Sequence, residues 1–550
     1  MAAMASLVNG ERAVVVLFVA RVVYSLPFSL LCHGLSLSLL ALAALSLDVL
    51  ADSSNSFSLF KTRPGASSGI LLGAVTLPAL MLSKLTQMLR AIAMKEVEVD
   101  ELEHLTMQYW ATSACCLGVL ILLYVITWKV PRNMRPNSLH NTWHAKVSLS
   151  CIALYIVLCC VSLGTISLTG RLQYGAKVIV DDLSWVGSWE ALLVTSGLVL
   201  YLGDMLAFTI AKASRLFITA EVVRYGSTRS EIGIIIQGML LGLLLFPSVF
   251  KFVLQIWECL LSKANSESRT YNEIWKSLIF LSSFGFVMVG IIPSWVQFVQ
   301  DFKMHPLLWV FSFVFSEPLK RLSLCMYWVI VICASVVRFY NISKNSKIER
   351  ILLRKYYHLM AVSMFLPALI FQPKFLDLAF GAALGVFMAL EIVRVWRIWP
   401  LGQPVHHFMN AFTDHRDSDI LIVSHFSLLL GCALPIWMSS GYNDRPLAPF
   451  AGILSLGIGD TMASMVGYKY GVLRWSKTGK KTIEGTAAGI TSVLATCSVL
   501  LPVLASTGYI VTEDWSSLVV AVTVSGLLEA YTTQLDNAFI PLVFYSLLCL

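Results

Sequence analysis

Apolar runs near the length that crosses a bilayer recur along the whole chain, separated by short polar connectors. In the first part they fall at 13–31, 35–50, 69–89, 110–128, 147–168, 191–211, 232–254, 276–299 and 322–340. Later runs fall at 358–371, 376–395, 420–438, 447–468, 486–505 and 518–533. About fifteen candidates of ~20 residues predict an all-α, polytopic transmembrane protein of roughly 14–16 helical spans. A β-barrel would need alternating strands of ~10 residues, and these runs do not alternate. The first run has no convincing cleavage site and is followed by further spans, so it reads as a retained signal anchor. The segment 307–315 is too short to cross, which suggests a half-helix or a missed crossing there, and the tail 538–550 is also short for a span.

Composition agrees with the pattern. The chain has 550 residues, 57% hydrophobic and 13% charged, with a mean hydropathy of +0.76, far from a soluble domain. The net charge of +8 is spread over short loops, where Lys and Arg orient spans, and does not suggest nucleic-acid binding. Twelve cysteines are scattered, mostly in apolar runs, without a CxxC. Neither a zinc site nor a disulfide framework is indicated.

Polar residues divide the chain unevenly. Residues 1–344 carry few ionisable groups within runs and read as a multi-span scaffold, the acidic connector 95–104 being a solvated face. Residues 345–550 carry the candidate chemistry. His358 opens one run, and Glu391 and Arg394 stand one turn apart near the end of the next. FTDHRDSD fills 412–419, Asp460 lies inside an apolar run, and Glu529 and Asp536 flank the last turn. If basic connectors face the cytoplasm, an even number of spans separates 341–356, 397–419, 469–485 and 534–537. All these polar groups then share one membrane face.

The stretch 457–485, GIGDTMASMVGYKYGVLRWSKTGKKTIEG, concentrates the signal. An acid within a span is costly, so Asp460 is a functional candidate by default. It shares a small-residue helix face with Ala463 and Gly467. A carboxylate suits Mg²⁺, which takes one or two carboxylates plus phosphate oxygens. The loop that follows holds Lys469, Arg474, Lys477, Lys480 and Lys481 against the single acid Glu484. Thr478, Gly479, Thr482 and Gly485 add donors and open backbone, so GKKTIEG suits phosphate. The loop is not a Walker A, because Arg474 stands where the first glycine should be, and Met462 breaks a GxGxxG pattern. Pattern alone therefore reaches an anionic ligand. Each group also has a plainer reading: His358 as an interfacial histidine, Glu391 with Arg394 as a simple pair, the basic loop as an orientation marker.

RKYYHL (354–359), LEIVRVWRIWPLG (390–402), FTDHRDSD (412–419), LPIW (434–437), GIGDTMASMVG (457–467), GKKTIEGT (479–486) and LLEAYTTQLDN (527–537) together resemble the dolichol kinases. The resemblance covers roughly 350–540, and upstream it extends only to length and number of spans. It implies an endoplasmic-reticulum membrane enzyme with a cytosolic site, passing the γ-phosphate of CTP to the hydroxyl of dolichol or a related polyprenol. The products would be dolichyl phosphate, the lipid carrier for protein glycosylation, and CDP. It also implies that CTP binds at Lys469 to Gly485. In that frame Asp460, helped by Asp536 or Glu529, would hold Mg²⁺. Lys480 and Lys481 would hold the β- and γ-phosphates, and Glu484 would order the loop or bind metal. Asp460, Glu391 and His358, in that order, are candidates for the base. A phytol or polyprenol kinase, a lipid cytidylyltransferase releasing pyrophosphate, and a transporter remain the alternatives.

Overall fold

The structure, a computed structural model, describes residues 9–53, 68–96, 99–129, 230–261, 269–300, 302–345, 350–410, 423–440, 442–475, 481–508, 514–532 and 536–550, with a few isolated positions between 197 and 212. Among the described residues the chain is helical, and its one extended pairing is an isolated bridge from Arg474 to Thr482. The expected runs at 147–168 and most of 191–211 lie outside them.

The helices follow in order: α1 Gly10–Tyr24, α2 Leu31–Ser53, α3 Ile70–Ala93, α4 Val99–Lys129, α5 Glu231–Leu261, α6 Arg269–Gly285, α7 Ile292–Val299, α8 Pro306–Ser316 and α9 Pro318–Asn345. Then come α10 Arg350–Phe371, α11 Pro373–Trp396, α12 Gly402–Asn410, α13 Val423–Met438, α14 Thr461–Tyr470, α15 Ile483–Ser506, α16 Trp515–Tyr531 and α17 Asp536–Leu548. Seven helices among the described residues are long and apolar enough to cross a membrane, and five shorter apolar ones accompany them. This is an all-α polytopic membrane protein.

Three local departures have physical causes. The run 13–31 is not one anchor helix: α1 stops at Tyr24, and Pro27 precedes a short 3₁₀ turn, Phe28–Leu30, that starts α2. Proline has no amide hydrogen to continue the ladder. The run 447–468 is also broken, into a 3₁₀ turn Ala448–Phe450, a π-helix Ile453–Asp460 and then α14. The connector 95–104 is not a solvated acidic face throughout. Its second half belongs to α4, where His104 Nε2 lies 3.1 Å from Asp204 Oδ1, and Asp204 also accepts from Gln237.

A boundary at 344/345 does not separate two cores. Residues of α1–α4 and of α10, α11, α13 and α15–α17 share one apolar cluster. The tail helix α17, too short to span, needs no lipid contact because protein surrounds it: Phe539, Val543, Phe544 and Tyr545 are all buried, and Ser546 meets Ser83 of α3 at 2.7 Å. Arg21 of α1 likewise donates to Ser517 of α16. A second cluster joins α5–α7 to the end of α11, with Phe246 edge-on to Phe280 at 5.1 Å and Phe250 edge-on to Trp396 at 5.0 Å. Between them α8 is the expected half-helix, presenting Leu308 and Phe311 outward.

Candidate functional site

Asp460 ends the π-helix, a rare geometry that frequently occurs at functional sites. It is 5% exposed. The Lys355 ammonium of α10 donates to its Oδ2. On the same α10 face, one turn on, His358 Nδ1 lies 3.3 Å from that oxygen and 3.2 Å from the Leu456 carbonyl oxygen. A carbonyl can only accept, so Nδ1 carries the proton. Ser464 Oγ approaches the other carboxylate oxygen, Oδ1, at 3.4 Å. The three ionisable groups satisfy one another, as buried charges must. His358 is buried, so the reading of an interfacial histidine does not hold.

The small-residue face serves packing. Ala463 and Gly467 turn toward α15, where a Cβ on Gly485 would sit 2.6 Å from the Ala463 carbonyl oxygen, and one on Gly489 would sit 3.0 Å from that of Gly459. Asp460 turns instead to α10. The two helices therefore approach as closely as glycine permits.

The described ends of the loop between α14 and α15 are bonded to each other. Ile483 donates to the Leu473 carbonyl at 2.8 Å, and Trp475 to that of Lys481 at 3.2 Å. Both carboxylate oxygens of Glu484 accept from the Leu473 amide, at 3.0 and 3.2 Å, so Glu484 orders the loop. Thr482 is the N-cap of α15, its hydroxyl accepting from the Gly485 amide at 3.2 Å. Lys481, expected on phosphate, donates to the main-chain carbonyls of Glu529 and Thr532. It caps the carbonyl end of α16, where a cation also complements the helix dipole. Lys469 and Arg474 are exposed, with Lys469 over the Tyr470 ring. Lys477, Thr478, Gly479 and Lys480 lie outside the described residues, as do 411–422, which hold the whole FTDHRDSD motif.

Other expected residues stand apart. Glu391 and Arg394 form a buried bidentate pair on α11, at 2.6 and 2.8 Å. Glu529 lies beside a cleft between α15 and α16. Asp536 opens α17, with its side chain outside the described ones. Among the described residues no group of three or more His, Cys, Asp and Glu is placed to hold a metal. Asp460 nonetheless fits the sparser mode that suits Mg²⁺, one carboxylate oxygen plus phosphate oxygens and water. Its Oδ1 carries only the long Ser464 contact.

Lys355, which in sequence stands among the cations of a basic connector, is the ion-pair partner of Asp460. The signal was present in RKYYHL: Lys355 and His358 are spaced to share a helix face, and both needed an intramembrane acid as partner.

Taken together, these features define a multi-span helical membrane protein with a buried Lys–Asp–His constellation and a basic loop between α14 and α15. The chain belongs to the dolichol kinase family. The family model for dolichol kinase matches residues 190–436, so the likeness begins well upstream of 350. Dolichol kinase EVAN of Arabidopsis thaliana is 63% identical over 99% of both chains. The dolichol kinase of Homo sapiens is 35% identical over 57% of each. Dolichol kinase sec59 of Schizosaccharomyces pombe is 32% identical over 46% of this chain and 52% of its own. No solved structure matches.

Proposed function

We propose that this chain phosphorylates dolichol, taking the γ-phosphate of CTP and releasing dolichyl phosphate and CDP, at the cytosolic face of the endoplasmic-reticulum membrane. The dolichyl phosphate would serve as lipid carrier for protein glycosylation. Family membership supports the kinase and its lipid, while the donor and the location rest on the motif resemblance. The observation that carries the reading is the buried Lys355–Asp460–His358 constellation in a chain of this family.

Phosphoryl transfer asks a protein mainly to position groups and neutralise charge. Here Lys355 and His358 hold the Asp460 carboxylate in one orientation, with Oδ1 turned away from them. Mg²⁺, when bound at Asp460 with phosphate oxygens, would spread the charge of the polyphosphate. Lys481 and Glu484 fix the two ends of the loop, one on α16 and one on Leu473. Lys477, Lys480, Lys469 and Arg474 then supply its positive charge. The burial of His358 beside the acid makes its Nε2 a stronger candidate base than Glu391, whose carboxylate is paired to Arg394. Purified protein given γ-labelled CTP or ATP with dolichol tests the reading. Labelled dolichyl phosphate from CTP is expected, and its absence with either nucleotide, or release of pyrophosphate in place of CDP, would overturn it.

A further inference from the structure

Trp475 is the last described residue before 476–480, the part of the basic loop that holds Lys477 and Lys480 in the sequence. It is fastened in three ways. Its amide donates to the Lys481 carbonyl at 3.2 Å. Its indole Nε1 donates to Thr486 Oγ1 at 2.9 Å, and that hydroxyl donates in turn to the Thr482 carbonyl at 3.1 Å, at the start of α15. Its ring packs on Tyr531, the last residue of α16, with centroids 5.1 Å apart and planes inclined at 58°. The first two ties stay within the loop and α15. The ring contact joins the Trp475 side of the loop to α16, as the Lys481 ammonium joins the other side.

Tyr531 is itself braced by α1. Gly10 opens that helix, and a Cβ there would fall 2.2 Å from the Tyr531 Cε1, 2.3 Å from Cδ1 and 2.7 Å from Cζ. The α1 backbone therefore closes on the ring with no room for a side chain. The helix is also anchored against retreat. Arg21, near its far end, donates to Ser517 at the start of α16 at 3.0 Å, so α1 runs along α16 from one end to the other. Arg12 forms a buried ion pair with Asp48 of α2, and Val14, Val15 and Phe18 are buried in the shared core. On the α1 side the Tyr531 ring meets a fixed wall.

We infer that α1, from the half of the chain that the sequence reads as scaffold, positions the basic loop: Gly10 seats the Tyr531 ring, and Tyr531 seats Trp475. Trp475 and Tyr531 are positioning residues, and through them the first helix sets where the loop cations are presented. What the loop binds rests on the proposed function; the brace itself does not.

The test uses the full-length protein in detergent–lipid micelles, read by amide hydrogen exchange over 472–475 and 481–483 and by the two KM values. Gly10→Val forces the ring off its seat, and Tyr531→Ala removes the ring. Each should speed exchange in those segments and raise KM for CTP about two- to tenfold, the span of one aromatic pair, with KM for dolichol at its wild-type value. Tyr531→Phe, which keeps the ring, should restore both readouts. Residues that act through one another are not additive, so Gly10→Val should add nothing in the Tyr531→Ala background. A contact that served the fold alone would lower the melting temperature and shift both KM values together, and the two substitutions would add. That result, or wild-type exchange in both single variants, overturns the inference. If wild type phosphorylates no dolichol, the kinase reading fails, and the exchange measurements decide the brace by themselves.

Discussion

Lys355 and Asp460 are a buried ion pair, and such pairs respond unequally to different changes. Removing one partner leaves a charge without compensation at a cost of about 3–5 kcal/mol, whereas replacing both is far milder. Asp460→Asn strands the Lys355 ammonium, and Lys355→Met strands the carboxylate. Each single variant should lower thermal stability in micelles and abolish kinase activity. The double variant should recover much of the stability and none of the activity. Activity within a factor of about three of wild type in any of them, less than ~1 kcal/mol of transition-state stabilisation, would confine the pair to a structural role. The sequence showed Asp460 because an acid in an apolar run is costly on any fold. It did not show the partner, because Lys355 is 105 positions away and sits among other connector cations.

At the scale of elements, the loop of 471–483 separates two kinds of lysine. Lys481 is an anchor on α16, and Lys480, in the proposed function, is part of the charge offered to phosphate. Lys481→Gln should therefore loosen the loop, seen as faster hydrogen exchange through 472–483. Lys480→Gln should leave that exchange unchanged and raise KM for CTP. Moving the charge gives a sharper check. Replacing both lysines by Gln while adding Tyr470→Lys and Ser476→Lys keeps the positive-inside signal, which counts charges and not their places within a short loop. Displaced groups can cost about 100-fold, so kcat/KM for CTP should fall by at least that much, ~2.7 kcal/mol, with insertion normal. Normal phosphorylation of dolichol would mark the lysines as orientation signals only. The π-helix was not legible in the pattern, since a wider helix turn and an ordinary one place apolar residues almost alike over so short a run.

The molecule as a whole makes two further predictions. Antiparallel pairing of α10 with α11 across Gln372, and of α15 with α16, returns the candidate residues to one end of the bundle. A single cysteine introduced at 344, 400 or 476 should therefore react from the same side of sealed microsomes, the cytosolic one. Lumenal reactivity at 476 would remove the basic loop from any cytosolic nucleotide. The shared core also bears on independence. Nearly all of α3 is buried, partly against α17, so residues 345–550 expressed alone should aggregate, and coexpressed 1–344 should restore a folded complex. A stable, active fragment 345–550 would show that the first part is dispensable.

Hydropathy by itself determined that this chain is a bundle of membrane helices and where most of them lie. Lipid imposes a length and a polarity on every span, and that constraint acts on consecutive residues. Charge counting led to the expectation that the polar groups share one membrane face. Only the tertiary structure decided the rest. It made the tail α17 a core element, because protein neighbours replaced the lipid that its length could not reach. It gave Lys481 to the α16 carbonyls, joined Lys355 and His358 to Asp460, and set the Trp475 ring against Tyr531. Each of those outcomes depends on which helix face meets which, a matter of contacts between distant positions that no local pattern encodes.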